Sequence, residues 1–596
     1  MREGKSGQTT WNLEDAFPAG GPKDFGRLER QLVSEAQRFE KIRESISKFT
    51  RTDMEEALAV YEHCYDKLVR LLCFAYMKFA EDTRNQDVKA MLDRTEELRA
   101  DVDNRVLFFR LWWIGLSAEK AGRISPANPD YAYFLATLRK LKPHTLEEKV
   151  EQVINLKNTT GFSGWVHHYD QITTTYTFQL KVRGKTLKGS DGKPREFVRD
   201  EVSEMYASPD PAMREAAYRA VLARYASEGN VLGEVYRTIV RDWRNEYVKL
   251  RAYPTPISAR NLENDVPDRS VETLLTVCRK NAAVFQDFFS LKAKMLGVKK
   301  LSRFDIYAPL LKKQKKASYE ESVKLVMDAF SEFDERFAGL ALRVFTQGHV
   351  DSSPRRGKET GAFCMSVTPD VVPFLLLNYS GKIRDAYTIA HESGHAVHSQ
   401  LASAHSVLTF QPPLVLAETA SVFGEMILYD KMMRDEKDAE VKRSVLLEKL
   451  SSIYATIGRQ AYFVIFEADA HKAVTEGATV SRLCSTYIGN LKEQFEPAVS
   501  VPEEFKWEWS SIPHIYHTPF YCYAYAFGNL LSLALYERYT KEGKRFIPTY
   551  LKLLSYGGSA SPAEVLEEVG VEISSERFWQ GGFDVIGRMV GELQEL

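Results

Sequence analysis

Long apolar runs are missing from this chain. The longest stretch, Val371 to Leu377, is interrupted by Pro373 and is far too short to span a bilayer. The opening, Met1 to Thr10, is polar and lacks an apolar signal core, so no secretory leader is expected. An excess of one charge is also missing. The 80 basic and 81 acidic residues leave a formal net charge of −1, which gives no reason to expect nucleic acid or an anionic membrane as partner. Cysteine is sparse. Cys64, Cys73, Cys278, Cys364, Cys484 and Cys522 are scattered, with no Cys-x-x-Cys pair. They read as reduced, mostly buried small apolar residues, which suits the cytoplasm. The sequon Asn158-Thr159-Thr160 carries no weight without a secretion signal. Repeats, low-complexity tracts and long linkers are lacking too. What remains is a 596-residue chain, long enough for a large core and beyond the usual single-domain size.

Histidine is scarce, with twelve in the chain, and two of them fall in His391-Glu392-Ser393-Gly394-His395. On a helix, positions i and i+4 share one face, one turn apart. Two imidazoles there can hold one zinc ion, and Glu392 can take a proton from an activated water. A chance match is expected in roughly one or two chains in a hundred of this size, so the third ligand has to agree.

Catalytic zinc takes three protein ligands and leaves the fourth place open. After Pro412-Pro413, the segment Leu414 to Leu428 is apolar around most of its circumference and reads as a buried helix. Glu418 and Glu425 lie seven apart on one face of it. Buried carboxylates are costly unless paired or bound to metal. Glu418 therefore completes a His, His, Glu set, and Glu425 is placed to hold a ligand imidazole by its other nitrogen. His398, seven residues after His391 and on roughly the same face, is placed to line the cleft but is assigned no role. His167, His168 and His405 have no spacing that asks for a metal.

The segment Asp385 to Ser399, followed by Glu418-Thr419-Ala420-Ser421, resembles the M3 family of zinc oligopeptidases, and within it the oligoendopeptidase F branch. The opening Trp11-Asn12-Leu13-Glu14-Asp15-Ala16-Phe17-Pro18 is similar to the start of that branch. Gly361-Ala362-Phe363-Cys364, Asn378-Tyr379, Pro513-His514-Ile515-Tyr516, Phe520 to Ala526, Gly557-Gly558-Ser559 and Phe578-Trp579 also fit. Ser393 departs from the pattern, since relatives more often carry a large apolar residue there. It is neither ligand nor base, so the chemistry is unaffected.

The resemblance implies a mainly α, two-lobed helical zincin-type metallopeptidase with a small β element beside the zinc helix and a deep substrate channel. It implies one zinc per chain and short peptides as substrates. It also points to His514, Tyr521 and Tyr523 as substrate-facing residues. A tyrosine stays protonated at neutral pH and can donate to the oxyanion formed in peptide hydrolysis. Whether His514, Tyr516, Tyr521, Tyr523 or Tyr525 makes that contact stays open, because closely spaced aromatics are usually packing residues. The resemblance further implies that Val371 to Tyr379 is a strand whose edge can pair with an extended peptide.

Apolar spacing predicts helices over Phe25–Ile46, Met54–Phe79, Val88–Leu116 and Leu146–Leu156, and again over Pro211–Ser227, Leu232–Leu250, Ser270–Leu296 and Tyr319–Phe345. Thr173 to Leu187 is β-like, with a turn at Arg183-Gly184-Lys185. Gly348 to Gly361 is a break, Ala362 to Tyr379 is β-biased, and Ala439 to Glu595 reads mostly as helices. The expected division is an N-terminal helical lobe with a hairpin over 1–200 and a catalytic domain over 201–596. The expected activity is endopeptidase cleavage of short unstructured peptides. Two rivals are a helical zinc carboxypeptidase, which needs a cationic pocket for the terminal carboxylate, and a peptide-binding protein with a decayed site, against which the intact Glu392 argues. The oligomeric state is not legible.

Overall fold

The structure, a computed structural model, describes residues 9–17, 25–310 and 316–596. Pro18 of the opening motif and Met1–Gln8 lie outside these residues. Helices dominate, as expected. In Phe25–Lys41 the buried residues Phe25, Leu28, Leu32, Ala36 and Phe39 recur every three or four positions, which places them on one face. Arg51–Glu81 begins with a reciprocal cap. Asp53 N donates to the Thr50 hydroxyl, and Thr50 N donates to the Asp53 carboxylate at 2.7 Å, so two orphaned donors are satisfied. Helices Ala118–Ile124 and Pro129–Lys140, which apolar spacing does not flag, start at Ser117 and Asn128, whose side chains accept from the first-turn N–H groups. The β-like run from Thr173 contracts to a hairpin, Lys181–Val182 against Lys185–Thr186. Arg183 and Gly184 between them take φ of 48° and 78°, as a two-residue hairpin turn requires.

The chain forms two compact units, each assembled from three segments. The first uses the described residues of Met1–Lys142, Gln314–Arg434 and Leu535–Glu572; the second uses those of Pro143–Lys313, Asp435–Ala534 and Ile573–Leu596. The linear cut expected near residue 200 does not coincide with this division. The hairpin belongs to the second unit, and residues 314–434 group with the N-terminal helices. The reason is a shared core. Trp11, Leu13 and Phe17 are buried together with Leu28, Leu32, Leu71 and Phe74, and with Val367, Val371, Phe374 and Leu376. The Trp11 ring meets Phe374 edge-on at 6.3 Å, and its indole N–H donates to Glu81 at 2.6 Å. Apolar burial of this kind stabilises by about 25 cal/mol per Å², and here it binds the chain's start to strands more than 300 residues away.

Those strands form a three-stranded sheet. Phe374–Leu376 lies in the middle, parallel to Val350–Asp351 and antiparallel to Phe363–Met365. This corrects the expectation of an edge at Val371 to Tyr379, because both sides of that strand are taken. Leu375 N and Leu377 N donate to His349 and Asp351 carbonyls at 2.8 Å, so by strand alternation Phe374 and Leu376 face Phe363–Met365. No further strand pairs outside Phe363–Met365 among the described residues. The Cys364 N–H and C=O are the groups turned to that outer edge.

In the second unit, Tyr236, Phe466, Tyr487 and Trp509 are fully buried among helices that include Gly229–Trp243, Arg459–Thr475 and Val480–Phe495. No helix among the described residues is long and apolar enough to cross a membrane.

The expected break at Gly348 to Gly361 is tied down by a buried ion pair. The side chains of Lys358 and Asp351 are both 0% exposed and 2.8 Å apart. Lys358 also donates to the Ser353 and Leu377 carbonyls at 3.1 and 2.6 Å, and Arg355 grips Asp351 through two bonds of 2.7 Å. Removing one partner of a buried pair strands the other. Lys358→Met is expected to destabilise the first unit by about 3 kcal/mol, read as a lower urea midpoint with unchanged helix content. An unchanged midpoint would mean that Arg355 alone suffices.

Candidate active site

Helix Ile383–Leu401 carries both histidines. Its start is held by the Asp385 carboxylate, which accepts from Ser380 N, Ser380 Oγ and Lys382 N at 2.7, 2.9 and 3.0 Å. One turn separates His391 from His395, and their Nε2 atoms lie 3.2 Å apart. The expected single helix over Leu414 to Leu428 is broken at the third group. Leu414–Ala417 ends where Glu418 stands, and Thr419–Asp435 begins after it. Glu418 Oε2 is 3.3 Å from His391 Nε2 and 3.6 Å from His395 Nε2. Tetrahedral zinc with bonds of about 2.0–2.2 Å keeps its ligand atoms about 3.3–3.6 Å apart, and the edges of this triangle, 3.2, 3.3 and 3.6 Å, come close to that range. Two imidazole nitrogens and one carboxylate oxygen also suit zinc chemically.

Neighbouring groups fix the donors. Glu425 Oε1 lies 2.6 Å from His391 Nδ1, so Nδ1–H donates to it and Nε2 is the nitrogen turned to the triangle, able to bind a metal once it gives up its own proton. Ser421 Oγ donates to Glu418 Oε2 at 2.7 Å. The Ala417 carbonyl favours the charged forms of His395 and His398, against their burial.

Charge is unevenly shared. Burial opposes the cationic form of His391, yet the hydrogen bond to Glu425 and the charges of Glu418, Glu425 and Glu392 hold it up to about 10. Burial, reinforced by the His391 charge, takes His395 down to about 4 although Glu418 pulls the other way. Glu418 stays below the ordinary carboxylate value in spite of burial, because His395, His391 and Ser421 favour its anion. Glu392 is 7% exposed. Burial pushes its carboxyl up to about 7, with Glu418 and Glu425 adding and His391 opposing.

A cavity of about 340 Å³ opens over these groups, lined by His391, Glu392, His395 and Glu418 together with Phe363, Cys364 and Gln411. The strand with the free edge therefore forms one wall. His398, left without a role in the sequence, lines the same cavity. It is 3% exposed, and burial takes it down to about 3, so it is neutral. His405 binds Asp130 and the Ser555 carbonyl at 2.9 Å each, which occupies both its nitrogens.

The remaining expected site residues lie in the second unit. His514, Tyr521 and Tyr525 form one half-buried cluster, with ring centroids 6.1 Å apart for His514–Tyr521 and 5.3 Å for Tyr521–Tyr525. Tyr523 is fully buried, and its hydroxyl accepts from Asn264 at 2.7 Å. Tyr516 is a packing residue, 0% exposed and stacked on Tyr169 at 3.9 Å.

Residues 204–585 match the model of Peptidase family M3, and residues 119–178 match that of Oligopeptidase F. The chain belongs to peptidase family M3. It is a metallopeptidase, in a family of zinc enzymes, and the resemblance to the oligoendopeptidase F branch is borne out. Oligopeptidase PepF of Bacillus subtilis (strain 168) is 24% identical over 600 residues, 99% of this chain and 87% of that one. An oligoendopeptidase F homolog of Lactococcus lactis subsp. lactis (strain IL1403) is 25% identical over 534 residues, 88% of this chain and 87% of its own. Among solved structures, a putative peptidase from Chlamydophila abortus has a TM-score of 0.84 at 24% identity, covering 98% of both chains. Oligoendopeptidase-F from Enterococcus faecium has a TM-score of 0.73 at 22% identity, covering 96% of this chain and 98% of that one. These structures share the fold.

Two glycines that sequence reasoning passed over set the geometry of this M3 site. A methyl group on Gly394 would come within 2.5 Å of the Ala420 carbonyl and 2.6 Å of Ser421 Cα; one on Gly424 would come within 3.1 Å of the Ala390 carbonyl. The two helices thus touch backbone to backbone beside Glu418. The signal was present, since glycine inside a helix costs about 1 kcal/mol relative to alanine and calls for a packing reason. Gly394→Ala is expected to push the helices apart and draw Glu418 away from the histidines. Zinc retained after dialysis should fall at least about tenfold while the helix content is kept. Full zinc retention would show that the close approach is not required.

Proposed function

We propose that this chain is a zinc-dependent endopeptidase that cuts internal bonds of short, unstructured peptides. The observation that carries the reading is the triangle of His391, His395 and Glu418 with the buried carboxyl of Glu392 beside it. Zinc held by those three residues supplies a Lewis acid that lowers the pKa of water and polarises a carbonyl. Glu425 keeps the His391 tautomer that can bind it. Glu392 takes the proton of the attacking water and passes it to the leaving amine. Tyr521, with His514 at its side, is assigned as hydrogen-bond donor to the oxyanion. Tyr523, fully buried with its hydroxyl accepting from Asn264, is assigned no contact with the substrate. The Cys364 backbone pairs with the peptide, which tolerates many side chains. All six cysteines are unpaired, which supports a reducing compartment, the cytoplasm.

Glu392→Gln should keep zinc and fold but lose turnover by at least about 10²–10⁴-fold, because an amide accepts no proton. Glu418→Ala should lose zinc and activity together, since two histidines leave an unsaturated site. Peptide hydrolysis by the Gln variant within about tenfold of the parent would remove Glu392 from its role.

Edge pairing requires an extended chain, and a folded protein must unfold locally to offer one. A peptide of about ten residues should be cut internally and casein slowly, while a compact folded protein stays intact under the same conditions. Release of single amino acids from the peptide's C-terminus would favour the carboxypeptidase reading. Digestion of the folded protein at the peptide's rate would point to a general protease.

A further inference from the structure

The second unit contains a cavity of about 230 Å³ whose lining includes Arg199, Arg459, Tyr307, Glu508 and Ser511. Its charges do not balance. Glu508 is the one carboxylate in the wall, and others already use it. Arg303, itself 1% exposed, donates to Glu508 Oε1 at 2.7 Å, and Tyr487 donates to Oε2 at 3.1 Å. Arg459 stands 3.8 Å from Glu508 and makes no hydrogen bond among the described residues; its buried Nε and the buried Tyr307 hydroxyl have no partner. Arg199 donates to the Tyr206 hydroxyl at 2.7 Å, a neutral acceptor. Three guanidinium groups therefore meet a single carboxylate in a partly dry site. The buried pair of Arg303 and Glu508 balances itself, whereas Arg199 and Arg459 are half-buried, the Arg459 side chain 32% exposed, and face no carboxylate of their own; buried donors without acceptors cost free energy.

An anion in the cavity settles both problems. A carboxylate fits best, because a guanidinium grips it through two parallel bonds and the apolar wall of Val221 and Leu222 can receive a short carbon stem. The position favours a peptide as its source. Ser511 in the wall is three residues from His514 in the chain, and the Arg459 charge, after burial, helps to hold the His514 imidazole below its ordinary value. We propose that this cavity is an anion subsite that takes a carboxylate of the bound peptide, from its C-terminus or from an aspartate or glutamate side chain. The proposal rests on the peptidase reading above, and on His514 facing substrate within it.

The test uses the full-length protein and two readouts. Three peptides of one ten-residue sequence are compared: the free acid, the C-terminal amide, and the amide with one internal Gln replaced by Glu. In the parent protein, KM for one of the two charged peptides should be at least about tenfold below that for the neutral amide, and the peptide that gains identifies the source. Arg459→Gln and Arg199→Gln should each bring that ratio to within about twofold of one, and Arg459→Lys, which keeps charge without the fork, should fall between. Independently of activity, acetate should raise the melting temperature of the parent saturably above a chloride control of equal ionic strength, and should not do so in the double Gln variant. Peptide cleavage with no arginine-dependent ratio and no arginine-dependent acetate effect overturns the subsite and leaves the peptidase reading intact. An arginine-dependent acetate effect with none of the three peptides cleaved overturns the peptidase reading instead and reduces the cavity to a free-anion site.

Discussion

At Gly394 the helix of the two histidines meets the turn after Glu418 with no side chain between them, and Gly424 meets the same helix at Ala390. The distances from Glu418 to the two histidines depend on that approach. A carboxylate side chain is short, and its oxygen reaches to 3.3 and 3.6 Å of two imidazole nitrogens on another helix only if the backbones touch. The same approach places Glu425 two turns further on, against the outer nitrogen of His391. Small residues thus do the geometric work that lets the charged ones do the chemistry.

Around this contact the first unit is built to resist movement. The N-terminal residues Trp11 to Phe17 are buried with the sheet, and Lys358 and Asp351 anchor the loop that separates two of its strands. Gly557 and Gly558 press against the Phe410 and Gln411 carbonyls, where a methyl group would come within 2.2 Å of each, and Gln411 in turn lines the cavity. This part of the cavity wall is therefore fixed by residues from both ends of the chain. Rigid surroundings matter for a metal site, since loosened support shows up directly as lost affinity.

The local parts of the site were legible in the sequence. His391, Glu392 and His395 share a helical face whatever the rest of the fold does, and the seven-residue step from Glu418 to Glu425 survives the break at Glu418 because it still brings both to one side. Features that depend on distant pairing were not legible. Val371 to Tyr379 reads as a strand, but whether it is an edge is decided by Val350–Asp351 and Phe363–Met365 closing on either side. The grouping of residues 314–434 with the N-terminal helices depends on contacts such as Trp11 on Phe374, which no local pattern announces. The cavity of Arg199, Arg459 and Glu508 is assembled from three separate stretches, each of which alone reads as an ordinary charged helix face. Among the aromatics from His514 to Tyr525, spacing could not separate packing from function; burial does so for Tyr516, stacked on Tyr169.

The central claim is that two imidazole nitrogens and one carboxylate oxygen hold a single zinc ion. Zinc K-edge X-ray absorption on the purified protein, combined with metal analysis, tests it most directly. The account predicts one zinc per chain in a four-coordinate shell, with two histidines and light oxygen ligands at about 2.0–2.2 Å and no sulfur. A sulfur shell at about 2.3 Å, or a six-coordinate oxygen shell without imidazole, would contradict it.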